Sequence, residues 1–286
     1  MRRRSKAIRL GMSHGWIRFV QPQLPDECWE SVFKHLTHHH DLESLSLVSR
    51  HFLSLTNRIR THLTISDHLP PLLPALLRRF TNLTSIKLPP PNFTGDIDAL
   101  LSQIASFGLP FLHSLDISHQ RTFPSHGLRQ FSKKFPTLKS LICSHTRPDL
   151  VLIAECFPNL EEIDLSHISV SSDADLQVKA LASGLKKLRK VDISGTYFLQ
   201  DSSIFTFCQN CVFLEALVVQ EGGSLSAMGI ANAIRERPQL RSLAVSCLNS
   251  EFIDALVSLK DLTCLDLSYS RISDEACVPL RNKAFP

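Results

Sequence analysis

The chain has 286 residues, 43% of them hydrophobic and 20% charged, which is the composition of an ordinary globular protein long enough to bury a sizeable core. It lacks an apolar run of about 18 residues and an apolar segment near its start, so neither a membrane span nor a secretory signal is expected. The net charge of +4 arises at the N-terminus, where Arg2, Arg3, Arg4, Lys6, Arg9 and Arg18 all precede the first acid, Asp26. The remainder balances at about −2, which gives no electrostatic case for binding nucleic acid. Residues 1–22 read as a basic, disordered tail, with a nuclear address or an organelle presequence as alternatives.

Residues 23–62 predict three short helices. Pro25 and Asp26 open the first, with Asp26 placed to cap it and Trp29, Val32, Phe33 and Leu36 at helical spacing. The run His38-His39-His40, with His35 nearby, follows. No cysteine or paired acid accompanies it, so it reads as a solvated loop and not a metal site. Asp41 is placed to cap a second helix carrying Leu42, Leu45 and Val48, and a third carries Phe52, Leu55 and Ile59. So short a segment cannot bury all of this apolar surface by itself, so part of it is expected to pack on another body.

From residue 63 onward the pattern changes. L-x-x-L-x-L returns with anchors at Leu83, Leu112, Leu138, Leu160, Leu188, Leu214, Leu240 and Leu262, at intervals of 22 to 29 residues. The motif ends in alternating pairs such as Ser114-Leu115-Asp116-Ile117 and Lys190-Val191-Asp192-Ile193, which argues a short strand. Between strands lie helical spacings: Ile97, Leu100, Leu101 and Ile104; Leu176, Ala180, Leu181 and Leu185; Ile230, Ala233 and Ile234. Pro110, Pro136, Pro158 and Pro238 each stand two residues before an anchor, where proline ends a helix without interrupting the next strand. The period is that of leucine-rich repeats, an α/β solenoid with parallel strands on the concave face and helices on the convex face. A ninth, degenerate strand near Leu63-Thr64-Ile65 is expected to cap its N-terminal end. Thr146, Thr196 and Ser270 stand where such repeats satisfy loop backbone groups, and a serine column (118, 144, 166, 194, 246 and 268) is expected to turn the chain out of the strands. No polar capping unit follows the last motif, whose helix is expected near Asp274–Leu280. That end is therefore expected to be the least stable, in a shortened family member or one that pairs through this edge.

The segment Leu24-Pro25-Asp26-Glu27 through Leu42-x-x-Leu45-x-Leu47-Val48-Ser49-Arg50-x-Phe52 resembles an F-box, with Ser49 for the usual Cys and Phe52 for the usual Trp. With the repeats that follow, the chain resembles the F-box/LRR proteins, a family especially large in plants. The resemblance implies a substrate-recognition subunit of an SCF ubiquitin ligase, in the nucleus or cytoplasm. Its F-box would dock on the SKP adaptor, and through it a cullin, while the repeats hold a protein substrate. By position, Leu24, Pro25, Val32, Phe33, Leu36, Leu42, Leu45, Val48 and Phe52 are the implied adaptor contacts.

Catalytic motifs are missing: there is no Gly-rich phosphate loop, G-x-S-x-G or H-E-x-x-H, so no enzyme activity, cofactor or metal is expected. Cys208-x-x-Cys211 lacks the second pair a zinc site needs. The outward strand positions Asp116, Glu162, Asp164, Lys190, Asp192 and Asp266 are the candidate substrate face. A receptor for a small hormone-like ligand, which in this family also holds an inositol phosphate, would need a basic cluster there. Lys87 and Lys190 are outnumbered by these acids. A repeat scaffold outside any ligase is the other alternative.

Overall fold

The computed structural model describes residues 24–36, 39–170, 173–221, 224–246, 250–268 and 270. The expected basic tail, His38 and the expected helix over residues 274–280 lie outside these. The chain divides into two compact units, at Ile59 and Arg60.

The first unit holds α1 (Asp26–Lys34), α2 (His39–Ser46) and α3 (Arg50–Ile59). Pro25, not Asp26, is the N-cap of α1, and no side chain caps it. Asp26 instead faces α3, where its carboxylate accepts from Arg58 at 2.8 Å and lies 3.3 Å from His51. Arg58 also reaches Glu30 at 2.6 Å, and these acceptors raise its pKa. Likewise Asp41 is not a cap: it lies within the first turn of α2, where its charge suits the helix dipole, and His39 and His40 belong to that helix and not to a loop. Val48 falls in the turn after α2. The Ser49 hydroxyl accepts the Phe52 N–H at 3.1 Å and so caps α3, a task the usual cysteine performs poorly. Trp29, Phe33 and Phe52 form the aromatic centre of the unit, with centroids 5.0 to 5.9 Å apart.

The second unit alternates strands and helices. Its strands are β1 (His62–Thr64), β2 (Ser85–Lys87), β3 (Ser114–Asp116), β4 (Ser140–Ile142), β5 (Glu162–Asp164), β6 (Lys190–Asp192), β7 (Ala216–Val219), β8 (Ser242–Val245) and β9 (Cys264–Asp266). Between them lie α4 (Leu73–Arg79), α5 (Ile97–Ala105), α6 (Ser125–Lys134), α7 (Leu150–Cys156), α8 (Ala174–Gly184), α9 (Asp201–Asn210), α10 (Ala227–Arg235) and α11 (Ser250–Ser258). The strands form one parallel sheet in sequence order, as a solenoid of strand–helix units requires. The register sets Leu63, Ile86, Leu115, Leu141, Ile163, Val191, Leu217, Leu243 and Leu265 side by side on the inward face. All eight anchor leucines are 3% exposed or less, each adding roughly 1.5–3 kcal/mol of apolar burial. On α8 the expected inward set is corrected: Leu176 is 67% exposed, and Val178, Leu181 and Ala182 face the core.

The turns into β3 to β8 repeat one bond, from the anchor N–H to the carbonyl three residues earlier. Phe135, Phe157, Leu185 and Cys211 fill that earlier position, so Cys211 is one member of a buried column. In the next unit Arg237 stands there, and its guanidinium donates to the carbonyls of Gln209 (2.8 Å) and Cys211 (3.1 Å) at the end of α9. Among the described residues no helix is long and apolar enough to cross a membrane.

Candidate binding surfaces

In the helical unit, the nine residues expected to meet an adaptor separate by exposure. Phe33 is 2% exposed and belongs to the unit's own core; Leu36, Leu42, Leu45 and Phe52 are half-buried. Leu24 (51%), Val32 (52%), Val48 (66%) and Pro25 stand in solvent. Leu47, which the sequence reading passed over, is 86% exposed. The signal was present in Leu45-x-Leu47-Val48: apolar residues packed this closely at a helix end cannot all face one core. The unit thus keeps its aromatic side chains for itself and leaves aliphatic ones bare.

In the repeats, the candidate face residues behave in two ways. Asp116, Asp164, Asp192 and Asp266 each close the strand with the same turn: Oδ1 accepts the N–H of Ser118, Ser166, Ser194 or Ser268 at 2.8 to 2.9 Å. In these four units the turn out of the strand is therefore made by the aspartate, and the serine supplies its N–H as donor, a correction to the sequence reading. Asp116 is buried and also holds Lys87 at 2.9 Å. Burial raises the pKa of Asp192 against the two Ser194 hydrogen bonds that lower it, whereas the Ser268 hydrogen bonds lower that of exposed Asp266. Glu162 and Lys190 are register partners and both exposed, yet they form no ion pair among the described residues. They are the two face residues with ungoverned charge.

Thr146 and Thr196 donate their hydroxyls to the carbonyls of Cys143 and Ile193, and Ser270 donates to Val245 at 3.1 Å, as their positions in the repeat require. Just before the strands runs a second row joined by backbone bonds from unit to unit: His113, Lys139, Glu161, Arg189, Glu215, Arg241 and Thr263. Its charges alternate, with Lys139 on Glu161 at 2.9 Å and Arg189 on Glu215. The Lys139 bond holds Glu161 below its ordinary pKa.

Just after the strands comes a row in the left-handed region: His119 (φ 62°), His145 (55°), His167 (54°), Gly195 (64°) and Glu221 (55°). The three imidazoles stack with centroids 4.5 and 4.7 Å apart and planes within 11°. Sequence reading missed this row, although Ser-His recurring after three successive strands announced it.

Cys208 and Cys211 are fully buried, and burial pushes their thiols up to about 12 and about 11, so neither is a reactive thiolate. Six cysteines among the described residues are free. Among those residues no group of three or more His, Cys, Asp or Glu could hold a metal.

The register and the recurring turns define a leucine-rich-repeat solenoid. Its fold is similar to a chain in the crystal structure of the TLR13–ssRNA13 complex, at 16% identity and a TM-score of 0.53, with 80% of this chain covered and 36% of the other. It is also similar to a chain in the yeast Rad7–Elc1 complex, at 18% identity and a TM-score of 0.52, covering 79% and 68%. Such identities speak to fold alone, and this chain spans about a third of the TLR13 chain's length. The family model of the F-box domain matches residues 22–64. The chain thus joins an F-box domain to a solenoid of the leucine-rich-repeat fold.

Proposed function

We propose that the chain is the substrate-recognition subunit of an SCF-type ubiquitin ligase. The observation that carries this reading is the bare aliphatic surface of the F-box unit: Leu24, Pro25, Val32, Leu47 and Val48 are exposed around a core already filled by Trp29, Phe33 and Phe52. Exposed apolar side chains on so small a unit call for a partner. In this reading they meet the SKP adaptor, which a cullin carries, while the half-buried Leu36, Leu42, Leu45 and Phe52 support them and Phe33 acts only through the core. The repeats hold a target protein against the outward strand side chains, with Glu162 and Lys190 available to it and Asp116, Asp164, Asp192 and Asp266 engaged mainly in shaping the face. The chain does no chemistry of its own; it contributes proximity and orientation to ubiquitin transfer, in the nucleus or cytoplasm.

The hormone-receptor alternative has less support, because Lys87, one of the two lysines on the face, is already paired with Asp116. Co-purification with the SKP adaptor tests the proposal and separates it from a scaffold outside any ligase. The Leu24→Ala/Pro25→Ala double variant is expected to lose the adaptor while its repeats stay folded. Retained capture would remove the assignment.

A further inference from the structure

The row of His119, His145 and His167 has no part in the adaptor contact and is not needed to make the turn. The fourth unit performs the same turn with Gly195, whose N–H, like those of the histidines, donates to the carbonyl one unit on. What the histidines add is a surface. The strand spacing of about 4.8 Å brings their rings into contact along the rim. The stack ends where it must: a Cβ on Gly195 would come within 2.1 Å of the His167 ring, which lies across the glycine. The loops beneath are pinned by buried groups. The Gln120 side chain donates to the Pro89 carbonyl at 2.7 Å, and the Thr146 hydroxyl bonds to Cys143. Arg121 and Arg147 lie on these same two loops, two residues beyond His119 and His145, and both are exposed and without a partner among the described residues.

Resting on the reading of the repeats as a partner-binding array, we propose that the ledge of His119, His145 and His167, with Arg121 and Arg147, docks an acidic segment of the target protein, and that binding takes up a proton at the central His145. Adjacent imidazoles in a stack this tight present parallel edges, and two exposed guanidinium side chains carried on the same loops add cationic donors suited to successive carboxylates. The groups facing the stack fall into two sets. Desolvation and then His119 and His167 disfavour the charged form of His145 and lower its pKa, while Asp164 favours it. Of the two nearby carboxylates, Asp116 is paired with Lys87 and accepts from Ser118, while Asp164 accepts the Ser166 N–H and keeps its charge beside His145. An arriving carboxylate reverses the balance at His145. Its pKa in the complex rises above that of the free protein, so affinity is greatest below the free value and falls away as pH rises through the bound one.

The test is fluorescence anisotropy on the full chain with a labelled peptide carrying six consecutive glutamates, read at pH 6.0 and 7.5. Affinity is expected to be about 10-fold higher at pH 6.0 for each proton taken up. The His119→Asn/His145→Asn/His167→Asn variant keeps side chains that tolerate the left-handed region, so it is expected to stay folded by circular dichroism and to lose the pH dependence. Arg121→Gln/Arg147→Gln is expected to weaken binding at both pH values and to keep the dependence. Absence of binding at pH 6.0, pH-independent affinity, or a triple-Asn variant that still responds to pH would each overturn the proposal. Adaptor capture is scored on the same preparations: a chain that takes the adaptor but ignores the peptide loses only the ledge, and one that binds the peptide without the adaptor loses only the ligase reading.

Discussion

Truncating Leu47 and Val48 to alanine separates adaptor binding from the stability of the F-box unit. These side chains are 86% and 66% exposed, so the unit's own fold draws little from them. Full burial of a Leu or Val contributes about 1.5–3 kcal/mol, and scaling by what is exposed leaves about 1–2 kcal/mol for each to gain on docking. The double variant is therefore expected to lose about 2–4 kcal/mol of binding, which is roughly 30- to 850-fold in Kd. Phe33→Ala is the opposite case. At 2% exposed, with Trp29 tilted against it and Phe52 edge-on, its loss is expected to cost the unit about 3–5 kcal/mol of stability. Calorimetric titration against the purified adaptor, with a thermal melt of each variant, reads both quantities. An unchanged Kd for Leu47→Ala/Val48→Ala, or a collapsed melt for that variant, would refute the division into bare surface and private core.

Three further outcomes follow from hydrogen bonding and burial. Thr196→Val removes the hydroxyl that satisfies the Ile193 carbonyl in a fully buried turn and is expected to cost about 1–3 kcal/mol in denaturant unfolding. Asp192→Asn keeps the acceptor for Ser194 and removes a charge whose burial raises its pKa. A raised carboxyl binds its proton more tightly in the folded state, so its ionisation removes stability as pH rises through that window; the Asn variant is expected to melt at or above the parent temperature at pH 7, and a clear drop would contradict this. Iodoacetamide at pH 8 is expected to modify exposed Cys28 and Cys264 in the native chain, and Cys143, Cys208 and Cys211 only after unfolding, as peptide mapping would show.

The repeat fold was legible because burial imposes the same demand in every unit. Leucine at each anchor and a period-two tail left no other arrangement for eight strands, and the degenerate β1 was found one residue from its place. The site was less legible because one residue type serves two ends. An outward aspartate on a strand looks like a partner contact, and only the Oδ1 bonds to the serine N–H groups reveal its local task. Caps failed for a related reason: Asp26 has the chemistry of an N-cap, but Arg58 and His51 arrive from 25 or more residues away and take its carboxylate. The histidine row escaped because its members are 22 to 26 residues apart and meet only once the strands are laid side by side.

The alternating row of Lys139, Glu161, Arg189, Glu215 and Arg241 gives the array a parity. Each exposed pair contributes no more than about 1 kcal/mol, but the signs are a code that a recombination event has to respect. Excising the unit that carries Glu161 would seat Lys139 beside Arg189, and excising the one that carries Arg189 would seat Glu161 beside Glu215. Removing both would return a lysine to a glutamate. In this stretch of the solenoid, repeats are thus expected to be lost or duplicated more readily in twos than singly, an even-number rule that a set of one-unit and two-unit deletions would expose in their melting temperatures.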